Sequence, residues 1–406
     1  MMSSKRIVIT GLGGLCGLGN NAQDIWDAMK NGVDGVTALK QEALSELKVK
    51  AAGQVGAIPD VGLENKNTIT MDRFALLSVT AAHQAFAQAG LQVNDSNAAR
   101  MGAVIGTAIC GCDAIEDGYQ MLLVKGKKRT SVFTVPRIMP GAPAGQVSMV
   151  LGLRGPVFGV TSACSSANHA FISALDQLRC GRADVMLAGG TEAPLTFGSL
   201  RAWESLRVLS KDLCRPFSAN RNGLVLGEGA GVAVLETLEH AIARGADILC
   251  ELAGGGLTAD AGDIVAPTLE GPSSAIQACL DDAGLNAGEI DYINAHGTAT
   301  KANDKTETEA LKNVFGDHAG KLAISSTKSM HAHCLGASGA LEMIACVNAI
   351  REGVVPPTIN YEEADPDCDL DYTPNQAKER PISSAVSNSF AFGGTNAVIA
   401  LKRFEG

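Results

Sequence analysis

The chain reads as an α/β protein whose sheets are buried on both faces, and three observations carry that reading. Apolar, strand-like runs end repeatedly in glycine-rich tips, and alanine-rich segments with helical spacing lie between them. The composition, 46 % hydrophobic but only 4 % aromatic with 46 glycines, suits layers packed closely through Ala, Val, Ile and Leu. In the first part the strand runs are RIVITGLGG (6–14), RMGAVIGTA (100–108), ADVMLAGGTE (183–192) and GAGVAVLE (229–236). In the second they are DILCELAGGG (247–256), IDYINAHGT (290–298), LAISST (322–327) and NAVIALKRF (396–404). Helical spacing is clearest over 75–91 and 273–285.

At 406 residues the chain is too long for one ordinary core. The pattern restarts near Arg244–Ile248, which divides it into a half over 1–247 and a half over 248–406, the second reading as a compressed repeat of the first. The formal charge of −10 argues against nucleic acid as the main partner. No apolar run is long enough to span a membrane, and MMSSKRIVITG runs directly into a strand, so the expected setting is cytoplasmic. Eleven cysteines without a CxxC pair suggest neither a disulfide framework nor a zinc site. Cys110 and Cys112 would point to opposite faces if extended. The glycine-rich run Gly11–Gly19 lacks the spacing of a dinucleotide fingerprint and reads as a tight strand-to-helix turn.

Four stretches carry chemistry. In VTSACSSANHAF (160–171), Cys164 precedes a helix marked by Ala167, Ala170, Phe171, Ala174, Leu175 and Leu178. A thiol at a helix mouth is expected to have its thiolate favoured by the free N–H groups, against the bland alternative of an inert core cysteine. NAHGTATKANDKTET (294–308) puts His296 after a strand, and STKSMHAHCLGASGALE (326–342) holds Lys328, His331 and His333. SNSFAFGGTNAV (387–398) has the make-up of a bendable loop with an aromatic plug. Each is ambiguous alone; together a cysteine at a helix mouth, two histidines after strands and a glycine-rich aromatic loop compose one acyl-transfer site.

VTSACSSA, NAHGTAT, STKSM with a histidine five residues after the lysine, and NSFAFGGTN resemble the β-ketoacyl-acyl carrier protein synthases of types I and II. The similarity spans nearly the whole chain and is nearest the nodulation-type synthases, through HAHCLGASGALEMIACV, EGVVPPTIN and DPDCDLDYTPN. The resemblance implies a thiolase-like fold, with duplicated βα halves in five αβαβα layers, and a homodimer. It implies a 3-oxoacyl-[acyl-carrier-protein] synthase: an acyl chain held as a thioester on Cys164 is extended by two carbons through decarboxylation of malonyl-carrier protein. His296 and His333 would hold the enolate oxygen, with Lys328 supporting them and Glu342 behind it. Backbone N–H groups of Cys164 and Phe392 would form the oxyanion hole, and Phe392, Gly393 and Gly394 the gate. Thr298 and Thr300 would bind the phosphopantetheine arm; Ile109, Thr134 and Phe390 would line the acyl pocket.

No cofactor is required on this reading, although Asn294, Glu342, Ser387 and Asn388 match positions that bind structural Na⁺ or K⁺ in some relatives. Carrier proteins are acidic, so the KGKKR cluster with Lys125, Lys127, Lys128 and Arg129 would steer docking, joined by Lys66, Arg73 and Arg207. Two departures stand out: Ala391 where many relatives have glycine, and His331-Ala332 in place of Thr-Gly. A thiolase is disfavoured because it would need a second catalytic cysteine, for which only Cys334 is a candidate. A non-catalytic chain-length factor is disfavoured by Cys164 itself, and a polyketide-type ketosynthase stays open.

Overall fold

The computed structural model describes residues 5–39 and 44–406; the MMSS start of the N-terminal reading lies outside the described residues. Ten strands make one mixed sheet: β1 (Ile7–Leu15), β2 (Met101–Gly106), β3 (Val157–Val160), β4 (Val185–Glu192), β5 (Gly229–Thr237), β6 (Cys250–Ala259), β7 (Tyr292–Asn294), β8 (Ala323–Ser325), β9 (Ser384–Ala391) and β10 (Thr395–Lys402). Their order is β8-β7-β9-β10-β6-β1-β5-β4-β2-β3. Outward from the centre, β1-β5-β4-β2-β3 and β6-β10-β9-β7-β8 have the same connectivity and the same pattern of parallel and antiparallel neighbours. The repeat read faintly in the sequence is therefore explicit in the topology. The halves meet through the short antiparallel pairing of Val8–Ile9 with Cys250–Glu251.

Helices α1 (Arg73–Gln88), α2 (Cys112–Tyr119), α3 (Ala142–Leu151), α4 (Ser166–Arg179), α5 (Phe197–Leu206), α6 (Glu270–Ala283), α7 (Lys301–Phe315) and α8 (Ser338–Glu352) position the site. α1 and α3 cover the outer face of the first half-sheet, and α6 and α7 that of the second. α4 and α8 lie between the halves, which gives five layers. Every residue of α8 from Ser338 to Ile350 is buried, a helix apolar nearly all round because sheet or helix faces it on every side. None of the described helices is long and apolar enough to cross a membrane.

Two local expectations are corrected. Gly11, Gly13 and Gly14 lie within β1 rather than in a turn. A Cβ at Gly11 or Gly13 would strike the carbonyl oxygen of Ala85 or Ala81, so these glycines let α1 approach the strand backbone. Cys110 and Cys112 are not extended: Cys110 has φ +68° and Cys112 opens α2, so strand alternation does not apply to them.

Candidate active site

After β3 the chain makes a single 3₁₀ turn, Ala163–Ser165, and enters α4. Ala163 has φ +49°, and Leu335, heading the matching turn before α8, has φ +45°. Ser166 ties the turn down, its Oγ accepting from the N–H of Ser162 at 2.9 Å and donating to the carbonyl of Ala163 at 2.6 Å. Cys164 is thus held at the helix mouth as expected, but its expected ionisation is corrected. Burial pushes the thiol up to about 12, outweighing the lowering by the Lys328 charge and by the N–H groups of Phe392 and Cys164. With its pKa raised, the group rests as a thiol at neutral pH, beside the backbone N–H groups of Phe392 and Cys164.

His296 follows β7 and His333 precedes α8; their rings meet edge to face, centroids 5.6 Å apart. Burial and then the Lys328 charge lower both imidazoles well below their ordinary range, so both are neutral. His333 Nδ1 pairs with Ser338 Oγ at 2.9 Å, leaving Nε2 for the cavity, whereas His296 Nδ1 makes no hydrogen bond among the described residues. Behind them Lys328 and Glu342 form a fully buried ion pair. His331 lies outside the cavity, with Nε2 on Thr327 Oγ1 at 3.1 Å.

Cys164, His296, His333, Thr298, Thr300, Phe390 and Phe392 line one cavity of about 110 Å³. The Thr298 and Thr300 hydroxyls pair at 3.0 Å, and Thr300 also caps α7. Phe392 stacks on Trp203, and Gly393 and Gly394 follow with φ +83° and +68°. Ala391 ends β9 without a positive φ, so alanine is unstrained there in this conformation. Ile109 lines a separate apolar hollow of about 520 Å³, open to solvent along exposed Leu123 and Val124, while Thr134 borders a third hollow beside Gly118 and Arg137. Within one chain, then, Thr134 does not reach the apolar cavity that Ile109 borders.

The N-terminal domain pattern of the beta-ketoacyl synthases matches residues 4–241, and the C-terminal domain pattern matches 249–362. The chain is a β-ketoacyl synthase. It is 61 % identical to Nodulation protein E of Rhizobium meliloti (strain 1021) over 98 % of this chain and 99 % of that one. With the 3-oxoacyl-[acyl-carrier-protein] synthase 2 of Staphylococcus aureus (strain N315) it shares 41 % over the full length of both. The solved ishigamide ketosynthase/chain length factor superposes with a TM-score of 0.94 at 34 % identity, covering 99 % of this chain and 100 % of that one. A type II polyketide ketosynthase solved with its acyl-carrier protein gives 0.91 at 33 %, with the same coverage.

The synthase carries backbone strain at Ala332. Ala332 has φ +65° and ψ −179°, a region that glycine occupies freely and other residues enter at a cost of roughly 1–3 kcal/mol. Gly53 and Gly227 leave room for its methyl group. Ala332→Gly is expected to raise stability by about 1 kcal/mol, seen as a higher urea midpoint at constant slope. A lower midpoint would show that the methyl contact outweighs the strain.

Several supporting residues escaped the sequence reading. Glu307 of α7 accepts the N–H groups of His296 and Gly297, each at 2.8 Å, and the Asn388 amide at 3.0 Å. The available signal was a polar set, Asn303, Asp304, Glu307 and Thr308, on a helix face that is buried. Glu192 accepts from the N–H groups of Ile109 and Gly336, bracing the Ile109 segment against the head of α8. Asp260, on a loop with no motif to mark it, ties down the turn after Phe392, accepting the Asn396 amide at 2.7 Å and donating its N–H to Gly394 O at 2.9 Å.

Of the cations read as docking residues, Lys125, Lys127, Lys128, Arg129 and Arg207 are exposed. Lys66 is exposed too but pairs with Glu64 at 2.6 Å. Arg73 is corrected: its guanidinium grips Glu228 at 2.6 and 2.7 Å against the protein, so its charge is already matched.

Proposed function

We propose that this synthase condenses malonyl-carrier protein with an acyl chain carried on Cys164. The observation that carries the reading is one cavity holding the cysteine and both neutral imidazoles, with the Phe392 N–H directed at the sulfur. In the first half-reaction the Cys164 sulfur bonds to the acyl carbonyl, the pantetheine C–S bond breaks, and the thiol proton leaves with the pantetheine sulfur. The N–H groups of Cys164 and Phe392 stabilise the carbonyl oxygen; one such donor is typically worth about 3 kcal/mol. In the second, malonyl-carrier protein loses carbon dioxide and its enolate oxygen accepts hydrogen bonds from His296 and His333. The enolate carbon then bonds to the acyl carbon, the C–S bond to Cys164 breaks, and the released thiolate takes a proton from solvent to restore the resting thiol. Lys328 acts through the histidines: its charge adds to burial in keeping the rings neutral, and neutral rings are donors that do not require a proton from solvent.

His333 faces Lys328, His331 and His296, and no carboxylate raises its pKa. Because its pKa lies below the ordinary histidine range, malonyl decarboxylation is expected to stay level as pH falls from neutrality through about 6.5. A loss of rate centred there would mean that the ring titrates in the working range.

A structural Na⁺ or K⁺ fits the residues behind the histidines. Asn294 Oδ1, Ser387 Oγ, Asn388 Oδ1 and Glu342 Oε2 are buried and make no hydrogen bond of good geometry, although the Ser387 hydroxyl lies near enough to Glu342 to lower its pKa. Such hard oxygen donors suit a monovalent cation, which would supply fixed positive charge there.

The proposed partners are acyl- and malonyl-loaded carrier proteins and a second copy of the chain. For the dimer, β3 presents an open sheet edge with exposed Phe158. The division at 247/248 stands as a proposal for the limits of the halves. All eleven cysteines are free, in keeping with a cytoplasmic setting. Reversing the charge of Lys127 and Lys128 is expected to raise the apparent KM for carrier protein at low salt, and an unchanged value would remove the cluster from docking.

The higher identity to Nodulation protein E favours a nodulation-type acyl product over primary fatty acids. With Ile109 on a large apolar cavity, the preferred primer is long, bulky or unsaturated. Incubation with malonyl-carrier protein and primers graded from acetyl to long-chain tests this. The expected products are two carbons longer and most abundant from long primers; strict preference for short saturated primers would contradict the pocket reading, and no product would contradict the reaction.

A further inference from the structure

Each half places a single 3₁₀ turn before its inner helix: Ala163–Ser165 before α4 and Leu335–Ala337 before α8. Both turns open on a residue with positive φ, so by position Gly336 matches Cys164 and Ser338 matches Ser166. Strands β4 and β9 match as well, being eight residues long and holding the same place in their half-sheets. Glu192, which ends β4, therefore corresponds to Ala391, which ends β9. In the first half the Cys164 N–H lies beside the sulfur together with the N–H of Phe392, the residue after Ala391. In the second half the Gly336 N–H is already taken, donating to Glu192 Oε2 at 3.0 Å.

Glu192 is fully buried and has no part in either half-reaction. Oε1 accepts from Thr107 Oγ1 at 3.0 Å and the Ile109 N–H at 3.2 Å, and Oε2 accepts from the Ala108 N–H at 2.6 Å as well as from Gly336. A Cβ at Gly336 would stand 2.8 Å from Oε2 and 2.6 Å from the Ala108 nitrogen, so the close approach requires glycine there. Through these bonds, which are strong because the acceptor is ionised, the carboxylate joins both parts of the site. On one side the Leu335 turn runs between His333 and Ser338, whose Oγ holds His333 Nδ1 at 2.9 Å. On the other, Thr107 O lies 3.2 Å from Ser166 Oγ, the hydroxyl that ties down the Cys164 turn. Ala108 and Ile109 pack against the buried cluster that contains Cys164 and Leu335.

We propose that Glu192 is a positioning residue: its carboxylate fills the N–H pocket of the second turn as the acyl carbonyl oxygen fills that of the first, and so holds Cys164 and His333 in place relative to each other. Resting on the acyl-transfer reading above, this gives a buried acid a part in the reaction without contact with substrate. Of two like turns, one keeps its N–H group for the substrate oxygen and the other is closed by an anion of the protein itself.

Glu192→Ala removes Cγ and the carboxylate, the atoms of one acetate ion, so acetate can stand in for them. The variant is unfolded and refolded in acetate, or in chloride at equal ionic strength, which lets the anion enter a buried pocket. Burial raises the Glu192 pKa to about 7 against the lowering by its donors, so the samples are held near pH 8, where the natural group is ionised. Melting temperature and carbon dioxide release from malonyl-carrier protein are read on the same samples. In chloride the expected kcat for decarboxylation is about a hundredfold below that of the natural chain, with KM nearly unchanged. Acetate is expected to restore most of that loss over the concentrations that raise the melting temperature, and to change neither in the natural chain. Glu192→Gln, which turns an NH₂ toward two of the donors, is expected to fall between, and it carries the kcat comparison should the alanine variant fail to fold. Natural kcat in a folded variant, or a melting shift with acetate but no gain in kcat, limits Glu192 to a structural role and overturns the proposal. No effect of acetate on either quantity overturns it too, because the second turn then holds no anion. If the natural chain neither releases carbon dioxide nor gains acyl mass, the acyl-transfer reading fails, and the melting shift still decides whether a carboxylate fills the second turn.

Discussion

Cys164→Ala is expected to abolish condensation, by roughly a thousandfold or more, while leaving malonyl-carrier protein decarboxylation in place. On the proposed mechanism the sulfur holds the growing chain, whereas the enolate depends on donors that the substitution does not touch, the neutral rings of His296 and His333. Cys164→Gln goes further by placing a neutral amide where the acyl carbonyl would sit, and is expected to decarboxylate without condensing. Carbon dioxide release and product mass are read separately. Condensation retained in the alanine variant would remove the covalent mechanism, and loss of both reactions in a folded protein would show that the half-reactions share more than the cavity.

Glu342→Ala is expected to cost about 3–5 kcal/mol of stability, the range for leaving a buried charge without its partner. Lys328 and Glu342 are both fully buried, and removal of the carboxylate strands the ammonium between α8 and the strand ends. Lys328→Met with Glu342→Leu should recover most of that loss, because a buried pair exchanged for apolar groups of similar volume is often neutral. Activity separates the two roles. Burial, the larger cause, still lowers the His333 pKa in the double variant, but without the lysine charge the acid loss of decarboxylation is expected to begin at a higher pH than in the natural chain. A double variant as active and as level with pH as the natural chain would limit Lys328 to a structural role.

The parts legible in the sequence were those written in local pattern. Strand tips, the small residues around Cys164 and the histidines after strands all leave short-range signals, and the structure brings Cys164, His296, His333 and Phe392 to one cavity. What could not be read depends on long-range packing. The glycines of β1 looked like a turn because the reason for them, the backbone of α1, lies some seventy residues away along the chain. The thiol was expected to ionise because a helix mouth is visible in sequence while the depth of burial that opposes it is not.

The most direct test of the central claim is to mix the natural chain with long-chain acyl-carrier protein, quench in acid, and map the acyl mass by peptide fragmentation. With eleven free cysteines competing, the account predicts a single thioester on Cys164, formed before any condensation product and discharged when malonyl-carrier protein is added. Turnover without that adduct, or an adduct on another residue that is discharged instead, would contradict it.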